Sequence, residues 1–276
     1  MPAALILTGL PGAGPIRGHR GILALMRRFV YGIAIPLYTL LFGTLAILGC
    51  LIVPNGNALI WMARPWARAI LWTCRTRVRV SGRGKLEGAG PVIYITNHQS
   101  HFDVLALIVA LPGQYRIIAK KELFSIPVFG WALSLAGFIK IDRSDREKAI
   151  RSLDEAARKL GKGMAVVVFA EGTRSIDGSL LPFKKGGFVL AISSRCPIVP
   201  ISISGSRAVL SRNSLDINGG TIDVVIGEPI PTDSYTLETK ERLIAVTRRA
   251  VEAGFTDLRR LDQPAAQAGE AMQGGR

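Results

Sequence analysis

Acidic residues are missing from the first 86 positions of this 276-residue chain. Residues 1–80 hold nine arginines and no lysine, and the first carboxylate is Glu87, in a chain of net charge +15. An apolar, arginine-rich segment without acids suits an anionic membrane surface. Nucleic acid is the competing partner for such a charge. We expect none, because these arginines flank apolar runs and form no polar patch with interleaved aromatic residues.

Cysteine is also scarce. Cys50, Cys74 and Cys196 are an odd number, are widely spaced and show no metal-ligand spacing. This pattern indicates a reducing compartment without a disulfide framework, and none of the three is a catalytic candidate.

Histidine occurs three times, and two of the three lie within a few residues of an aspartate. His98, His101 and Asp103 could ligate zinc, but a catalytic zinc site needs a further strong ligand, and the remaining histidine is His19 in the N-terminal stretch. We therefore predict no metal and no cofactor.

Two apolar segments stand near the N-terminus. Residues 29–53 carry no charge over 25 positions, which exceeds the roughly 20 residues needed to cross a bilayer and is too long for a signal peptide. Residues 58–75 hold Arg64 and Arg68 one helical turn apart, with three tryptophans, a pattern typical of an interfacial helix. A single span and a hairpin dipping into one leaflet both stay open. A buried pair of core helices is less favoured, because residues 29–53 lack a polar face.

From residue 77 onward, short β-branched runs alternate with helical patterns. This alternation predicts an α/β domain with a central mixed sheet covered by helices on both faces, preceded by the membrane-associated two-helix segment. The predicted strands are 92–96, 115–119, 138–141, 164–169, 198–203 and 221–226, with an edge strand at 77–80. The predicted helices are 104–111, 128–135, 146–160, 186–194 and 238–253.

These patterns divide the chain into four parts. Residues 1–25 are predicted to be a disordered extension, with Met26 as the natural start of a membrane enzyme. Residues 26–76 form the membrane-embedded or interfacial helices, and residues 77–256 form the α/β domain. Residues 257–276, rich in Ala, Gln and Gly, are predicted to be a flexible tail.

Residues 96–103, between a predicted strand and a predicted helix, hold the candidate catalytic pair. His98 can accept a proton near neutral pH, and a carboxylate on its other ring nitrogen would fix the tautomer and stabilise the imidazolium. Asp103, five positions later, is the candidate for that carboxylate. The alternative interpretation is that His98 and Asp103 merely cap the helix that follows.

Four blocks of residues follow one another along the chain. The first block is Asn97-His98 followed by Asp103. The others are Lys120, Lys121, Glu122 and Leu123 with Pro127, Gly130, Gly137, Ile141, Asp142 and Arg143; then Phe169, Ala170, Glu171, Gly172, Thr173, Arg174 and Ser175; and finally residues 198–203. Together and in this order, these blocks resemble the glycerolipid acyltransferase family, and within it the 1-acylglycerol-3-phosphate acyltransferases.

The resemblance implies acyl transfer from a thioester, on coenzyme A or acyl carrier protein, to the sn-2 hydroxyl of 1-acylglycerol-3-phosphate, giving phosphatidic acid. It implies His98 as the base and Asp103 as its orienting carboxylate, and a site at the membrane with the catalytic domain facing the cytoplasm (the inner membrane if bacterial). Arg174 would hold the acceptor's phosphate, with the remaining substrate-binding candidates being Lys120, Lys121, Arg143, Glu171, Gly172 and Thr173. A surface ion pair between Glu171 and Arg174 is the alternative interpretation of the third block.

Three other functions stay open at this point. The acceptor could be a different lyso-lipid, such as a lyso-ornithine lipid. The same His98 and Asp103 could activate water in a lipid or thioester hydrolase, and a non-catalytic membrane-binding protein is the third possibility. A serine nucleophile at Ser100 is disfavoured, because no Gly-x-Ser-x-Gly elbow presents any serine. His101 is interpreted as a wall residue, and Asn97 as a brace for the loop.

Overall fold

The computed structural model describes residues 17–53, 56–88, 90–142 and 146–261. Its strands are β1 (Thr76–Ser81), β2 (Ile93–Thr96), β3 (Tyr115–Lys120), β4 (Ile139–Ile141), β5 (Ala165–Phe169), β6 (Ile198–Ser204) and β7 (Gly220–Ile226). Its α-helices are α1 (Arg17–Ile52), α2 (Asn57–Thr73), α3 (Phe102–Ala110), α4 (Phe129–Leu135), α5 (Arg146–Leu160), α6 (Gly186–Ser194), α7 (Ser206–Val209) and α8 (Lys240–Leu261). Short 3-10 helices occupy Arg83–Leu86 and Lys121–Ser125.

The strands form one mixed sheet in the order β1-β7-β6-β2-β5-β3-β4. The five strands from β6 to β4 are parallel, whereas β7 runs antiparallel to β6 and parallel to β1. The predicted mixed α/β sheet is confirmed. Since β2 and β5 are parallel neighbours, with Thr96 opposite Phe169, the loops that follow these two strands lie side by side.

Alternate residues of the central strands feed two hydrophobic clusters, one on each face of the sheet. In β2, Tyr94 packs with the cluster that includes α2, α3 and α4, and Ile93 and Ile95 pack with the cluster that includes α5, α6 and α8. Helices thus cover both faces, and the edge where the parallel strands end stays open to carry loops.

Helix α1 is an apolar rod that packs against α2 and α4. Its segment Met26–Ile52, 27 residues with mean hydropathy 2.1, is the one helix in the described part of the chain that is long and apolar enough to cross a membrane, and only 11% of it is buried. Large exposed apolar side chains run along it, including Phe29, Ile33, Leu37, Leu40, Leu41, Leu48 and Leu51. A mostly exposed apolar helix indicates association with a membrane.

Helix α2 carries exposed Trp61, Arg68 and Trp72, as an interfacial helix would. Arg64 departs from that interpretation. Its Nη2 donates to the carbonyl oxygens of Leu111 and Gly113, so its charge lies at the C-terminal end of α3.

Two predicted boundaries differ from the structure. Helix α1 already begins at Arg17, within the stretch predicted as disordered, and helix α8 continues to Leu261, beyond the predicted start of the tail at residue 257. Residues 1–16 and 262–276 lie outside the described residues.

Candidate active site

His98 and Asp103 meet in the loop that connects β2 to α3. The Nδ1 atom of His98 lies 2.8 Å from Oδ2 of Asp103, whose side chain is fully buried, while the imidazole keeps 16% exposure. A carboxylate can only accept here, so Nδ1 carries the proton and Nε2 is left with a lone pair. That tautomer is the one required of a general base.

The same Asp103 oxygen also fixes the loop that precedes α3. Oδ2 accepts hydrogen bonds from the backbone N–H groups of Gln99 and Ser100, at 2.7 and 2.9 Å. Both groups lie before the N-cap residue His101, and α3 has no side-chain cap hydrogen bond, so the structure supports Asp103 as the partner of His98 and not as a helix cap. Three donors on one oxygen fix the carboxylate, and with it the direction of the imidazole.

Residues of the third block, which end or follow the neighbouring strand β5, fix His98 in place. The backbone N–H of His98 donates to Oε1 of Glu171 at 2.8 Å, and its carbonyl accepts from the backbone N–H of Ser175 at 2.9 Å. The imidazole stacks on Phe169 with ring centroids 4.0 Å apart. The ring, the amide and the carbonyl of His98 are thus all fixed by residues that follow or end β5.

Asn97 and Ser100 are structural members of the loop. The Asn97 side chain exchanges two hydrogen bonds, both of 2.8 Å, with the backbone N–H and carbonyl of Ile203 in β6. The Ser100 hydroxyl donates to the carbonyl of Leu210 at 2.7 Å and is fully buried. With its proton committed and no access to the cleft, Ser100 is a poor nucleophile.

Glu171 points into the protein and forms no ion pair with Arg174 among the described residues. Its two carboxylate oxygens accept from the backbone N–H groups of His98 and Leu181, and the side chain is almost fully buried. Burial raises its pKa to about 7, against the opposing effect of those two hydrogen bonds. Predicted from the resemblance to touch substrate, Glu171 instead braces the catalytic loop in this structure.

A cationic group lies beside the pair. Burial, followed by the charge of Arg212, lowers the pKa of the half-buried Arg174, while Asp103 raises it. The Nη1 of Arg212 also donates to the carbonyl of Arg174 at 2.8 Å. Arg174 and Arg212 therefore lie next to the pair, where they can bind an anionic group.

Sequence reasoning missed Arg212, which lies in the loop between α7 and β7. A signal was present, because Arg207 and Arg212 follow closely after the fourth block. Gly172, by contrast, is among the residues that the resemblance implied for substrate binding. It adopts a φ of +70°, and a Cβ at this position would lie 3.4 Å from Cγ of Lys184, so the glycine permits a turn that other residues rarely adopt.

The remaining predicted binding residues lie further from His98. Lys120 pairs with Glu122 at 3.3 Å and Lys121 with Asp142 at 2.8 Å. Lys120 ends β3 and Lys121 follows it. Strand β3 lies two strands from β2, which corresponds to about 10 Å along the sheet edge. Thr173 is exposed beside Arg174, and Arg143 lies outside the described residues.

An apolar cavity of about 70 Å³ lies between α1, α2, α3 and α4. Val104 and Ile108 line it from α3, the helix that begins at the catalytic loop, and Gly43 and Trp66 line it from α1 and α2. In the described part of the chain, no three His, Cys, Asp or Glu side chains are grouped to hold a metal ion.

Comparison with known proteins gives a consistent result. The family model described as Acyltransferase matches residues 77–204, which contain all four blocks. The 1-acyl-sn-glycerol-3-phosphate acyltransferase BAT2, chloroplastic, of Brassica napus is 40% identical over 141 residues, which cover 51% of this chain and 41% of that protein. The human 1-acyl-sn-glycerol-3-phosphate acyltransferase alpha is 36% identical over 66% of this chain and 65% of its own length.

The aligned part of the chain thus spans less than two thirds of either relative. Among solved structures, the 1-acyl-sn-glycerophosphate acyltransferase PlsC from Thermotoga maritima superposes with a TM-score of 0.77 over 87% of this chain and 98% of its own, at 24% identity. That likeness establishes the common fold.

Proposed function

This chain belongs to the acyltransferase family through residues 77–204, and on that premise we propose that it transfers a fatty acyl group from an acyl thioester to the sn-2 hydroxyl of 1-acylglycerol-3-phosphate. The product is phosphatidic acid. The observation that carries the proposal is the 2.8 Å contact between His98 Nδ1 and Asp103 Oδ2, because it leaves Nε2 as a base at the open edge of the sheet.

The reaction needs no acyl-enzyme intermediate. The acceptor hydroxyl forms a C–O bond to the thioester carbonyl carbon as Nε2 of His98 takes its proton. The C–S bond then breaks, and the leaving thiolate receives the proton from the imidazolium. Asp103 stabilises that imidazolium, and the buried hydroxyl of Ser100 takes no part.

The acceptor's phosphate suits the cations beside the pair. Arg174 and Arg212 provide two guanidinium groups in the neighbourhood of His98, and a guanidinium can donate two parallel hydrogen bonds to a phosphate. A lipid whose phosphate is held there has its glycerol hydroxyl within reach of the base.

The apolar helices suit lipid substrates. The exposed face of α1 and the tryptophans of α2 would hold the domain at a bilayer on its cytoplasmic side, so that acceptor and product need not leave the membrane. The apolar cavity bounded by α3 lies on the same side of the sheet and offers space for hydrocarbon. The donor thioester would be acyl-CoA or acyl carrier protein.

The test uses the purified full-length chain in lipid vesicles. Radiolabelled acyl-CoA or acyl carrier protein is supplied with and without 1-acylglycerol-3-phosphate, and the lipid product is identified by mass spectrometry. Thiol release that requires the acceptor, with phosphatidic acid as product, supports the proposal. Thiol release of equal rate without acceptor identifies a hydrolase, and preference for a lysophospholipid or lyso-ornithine lipid without a phosphomonoester changes the acceptor.

A further inference from the structure

Besides the apolar cavity, the structure has a polar cavity at the end of the sheet opposite to the catalytic loop. Arg116 enters it from the beginning of β3 and Met164 from just before β5, whereas His98 and Glu171 follow the other ends of the parallel strands β2 and β5. The cavity has a volume of about 380 Å³. It is therefore separated from the proposed active site by the length of the strands.

The lining of this cavity is strongly basic. Four cations face it, namely Arg116, Arg158, Lys159 and Lys162, and among the described residues that line it Glu155 is the one acid. Gathering like charges around one space costs energy when no anion is present. Such an arrangement is suited to a ligand that carries negative charge.

The floor of the cavity is a buried guanidinium. Arg116 is only 1% exposed, and its Nη1 donates to the carbonyl of Tyr115 at 2.9 Å and to Oε1 of Gln114 at 3.1 Å. Its Nη2 donates to Oδ1 of Asn57 at 3.3 Å. These three neutral acceptors fix the position of the guanidinium.

Gly137 leaves a small space between the cationic side chains of the cavity. Gly137 adopts a φ of +71°, and a Cβ there would lie 2.8 Å from Nζ of Lys159 and 3.7 Å from Nε of Arg116. Two cationic nitrogens thus face the same small space. The Nζ of Lys159 lies 3.6 Å from Glu155, too far for a strong hydrogen bond, and Arg158 and Lys162 stand exposed at the rim.

The rim on the other side is apolar and adjoins the membrane helices. Leu135, at the end of α4, lines the cavity with 48% exposure. Asn57, which accepts a hydrogen bond from Arg116, is the first residue of α2. The last residues of the preceding helix α1, Leu51 and Ile52, are 75% and 83% exposed. A ligand in this position meets cations at one end and exposed hydrocarbon at the other.

We propose that this cavity is a binding site for a phosphate group, carried by the headgroup of an anionic phospholipid whose chains lie against α1 and α4. Phosphate oxygens match the guanidinium and ammonium donors, and the apolar rim matches the acyl chains. The site would hold the end of the domain far from the active site against the bilayer. It does not depend on the acyltransferase reaction proposed above.

The test measures binding to the purified full-length chain in neutral detergent, by isothermal titration. The probes are dioctanoyl phosphatidylglycerol, dioctanoyl phosphatidylcholine and inorganic phosphate. The double variant Arg158→Glu with Lys162→Glu changes the exposed rim, where the fold tolerates it. The matched control, Arg151→Glu with Arg249→Glu, makes the same charge change at exposed positions of α5 and α8 outside the cavity.

We expect the rim variant to bind phosphatidylglycerol at least about tenfold more weakly than the parent chain, and the control to remain within about twofold. The same loss is expected when the parent chain and the rim variant both also carry Arg174→Ala, which removes the phosphate contact proposed at the active site. Stronger binding of phosphatidylglycerol than of inorganic phosphate supports a lipid headgroup. Equal binding of the two, lost together in the rim variant, supports phosphate recognition and assigns the site to a soluble phosphate compound.

Equal affinity of the parent chain, the rim variant and the control would overturn the proposal. A second double variant gives a test that does not depend on measuring ligand affinity. Neutralising the rim as Arg158→Gln with Lys162→Gln should raise the melting temperature of the ligand-free chain by relieving repulsion, and should abolish the stabilisation that phosphatidylglycerol gives to the parent. An unchanged melting temperature together with undiminished stabilisation by lipid would contradict an anion site.

Discussion

The carboxylate of Glu171 accepts a hydrogen bond of 2.8 Å from the backbone N–H of His98, which joins the loop after β5 to the loop after β2. The third block of the sequence therefore contacts the first through the main chain. This contact makes Glu171 a positioning residue. Its side chain holds the backbone of His98, while Arg174, three residues later, is the residue proposed to bind the substrate's phosphate.

Replacing Glu171 with Ala should lower kcat about 10- to 100-fold and change KM for 1-acylglycerol-3-phosphate by less than about threefold. The backbone N–H groups of His98 and Leu181 lose their acceptor, so His98 shifts. Arg174 and Arg212, proposed to bind the phosphate, keep their positions, and KM therefore changes little. Steady-state kinetics in vesicles measure the two constants. A large rise in KM with unchanged kcat would instead mean that Glu171 contacts the acceptor.

The raised pKa of Glu171, about 7, predicts a pH dependence of stability. Between its ordinary value near 4.5 and about 7, the folded chain binds more protons at this carboxyl than the unfolded chain does. The contribution of Glu171 to stability is therefore full below pH 4.5 and is lost as the pH rises through about 7.

Melting temperatures of the parent chain and of Glu171→Gln, measured from pH 5 to pH 8, check this sign. The difference between parent and variant should shift against the parent as the pH rises, because the amide does not titrate. A difference that shifts in favour of the parent over the same range would show a depressed pKa, in which the two backbone hydrogen bonds outweigh burial.

Arg174→Ala and Arg212→Ala should each raise KM for 1-acylglycerol-3-phosphate about 10- to 100-fold, the effect of losing a charge-assisted hydrogen bond to phosphate. Their KM for 1-monoacylglycerol, which keeps the sn-2 hydroxyl but lacks the phosphate, should change much less. Arg195→Ala, a substitution at an exposed arginine after α6, serves as the control. Equal effects on phosphorylated and neutral acceptors would exclude a phosphate-binding role.

Leu40→Glu combined with Leu48→Glu should release the chain from lipid vesicles in a flotation assay. Both leucines lie exposed on α1, and each carboxylate in hydrocarbon costs about 2.5–3.5 kcal/mol on insertion scales. Thr236→Glu with Leu237→Glu, at exposed positions before α8, adds the same charge to the domain and should leave flotation intact. Retention of the α1 variant on vesicles would show that α1 is not the membrane contact.

The strands beside the site were predictable because they are short, β-branched and apolar. Residues such as Ile93, Ile95, Val166 and Val167 can only be buried, and a loop after a buried parallel strand must lie at the sheet edge. Asn97 and Asp103 were predicted from the spacing Asn-His-x-x-x-x-Asp and the resemblance that it carries, with Asn97 as a brace for the loop and Asp103 as the partner of His98.

Other features depend on packing between distant segments. The residues beside Glu171 in the sequence are typical of an exposed charge. Its burial follows from the contact between the loop after β2 and the loop after β5. Arg212 reaches the site because the chain after α7 returns as β7 antiparallel to β6, a direction that no local pattern encodes. Arg64 was interpreted as part of the basic face of an interfacial helix, because only the folded chain brings the carbonyl oxygens at the end of α3 beside it.

The most direct test of the account is the acylation of 1-acylglycerol-3-phosphate by the His98→Ala variant in vesicles, with phosphatidic acid quantified by mass spectrometry. His101→Ala, which changes a neighbouring histidine with no contact to Asp103 Oδ2 among the described hydrogen bonds, is the matched control. We predict that His98→Ala lowers the rate about 10²- to 10⁴-fold and that His101→Ala retains most of it. Phosphatidic acid formed by His98→Ala at the rate of the parent chain would contradict the assignment of His98 as the base.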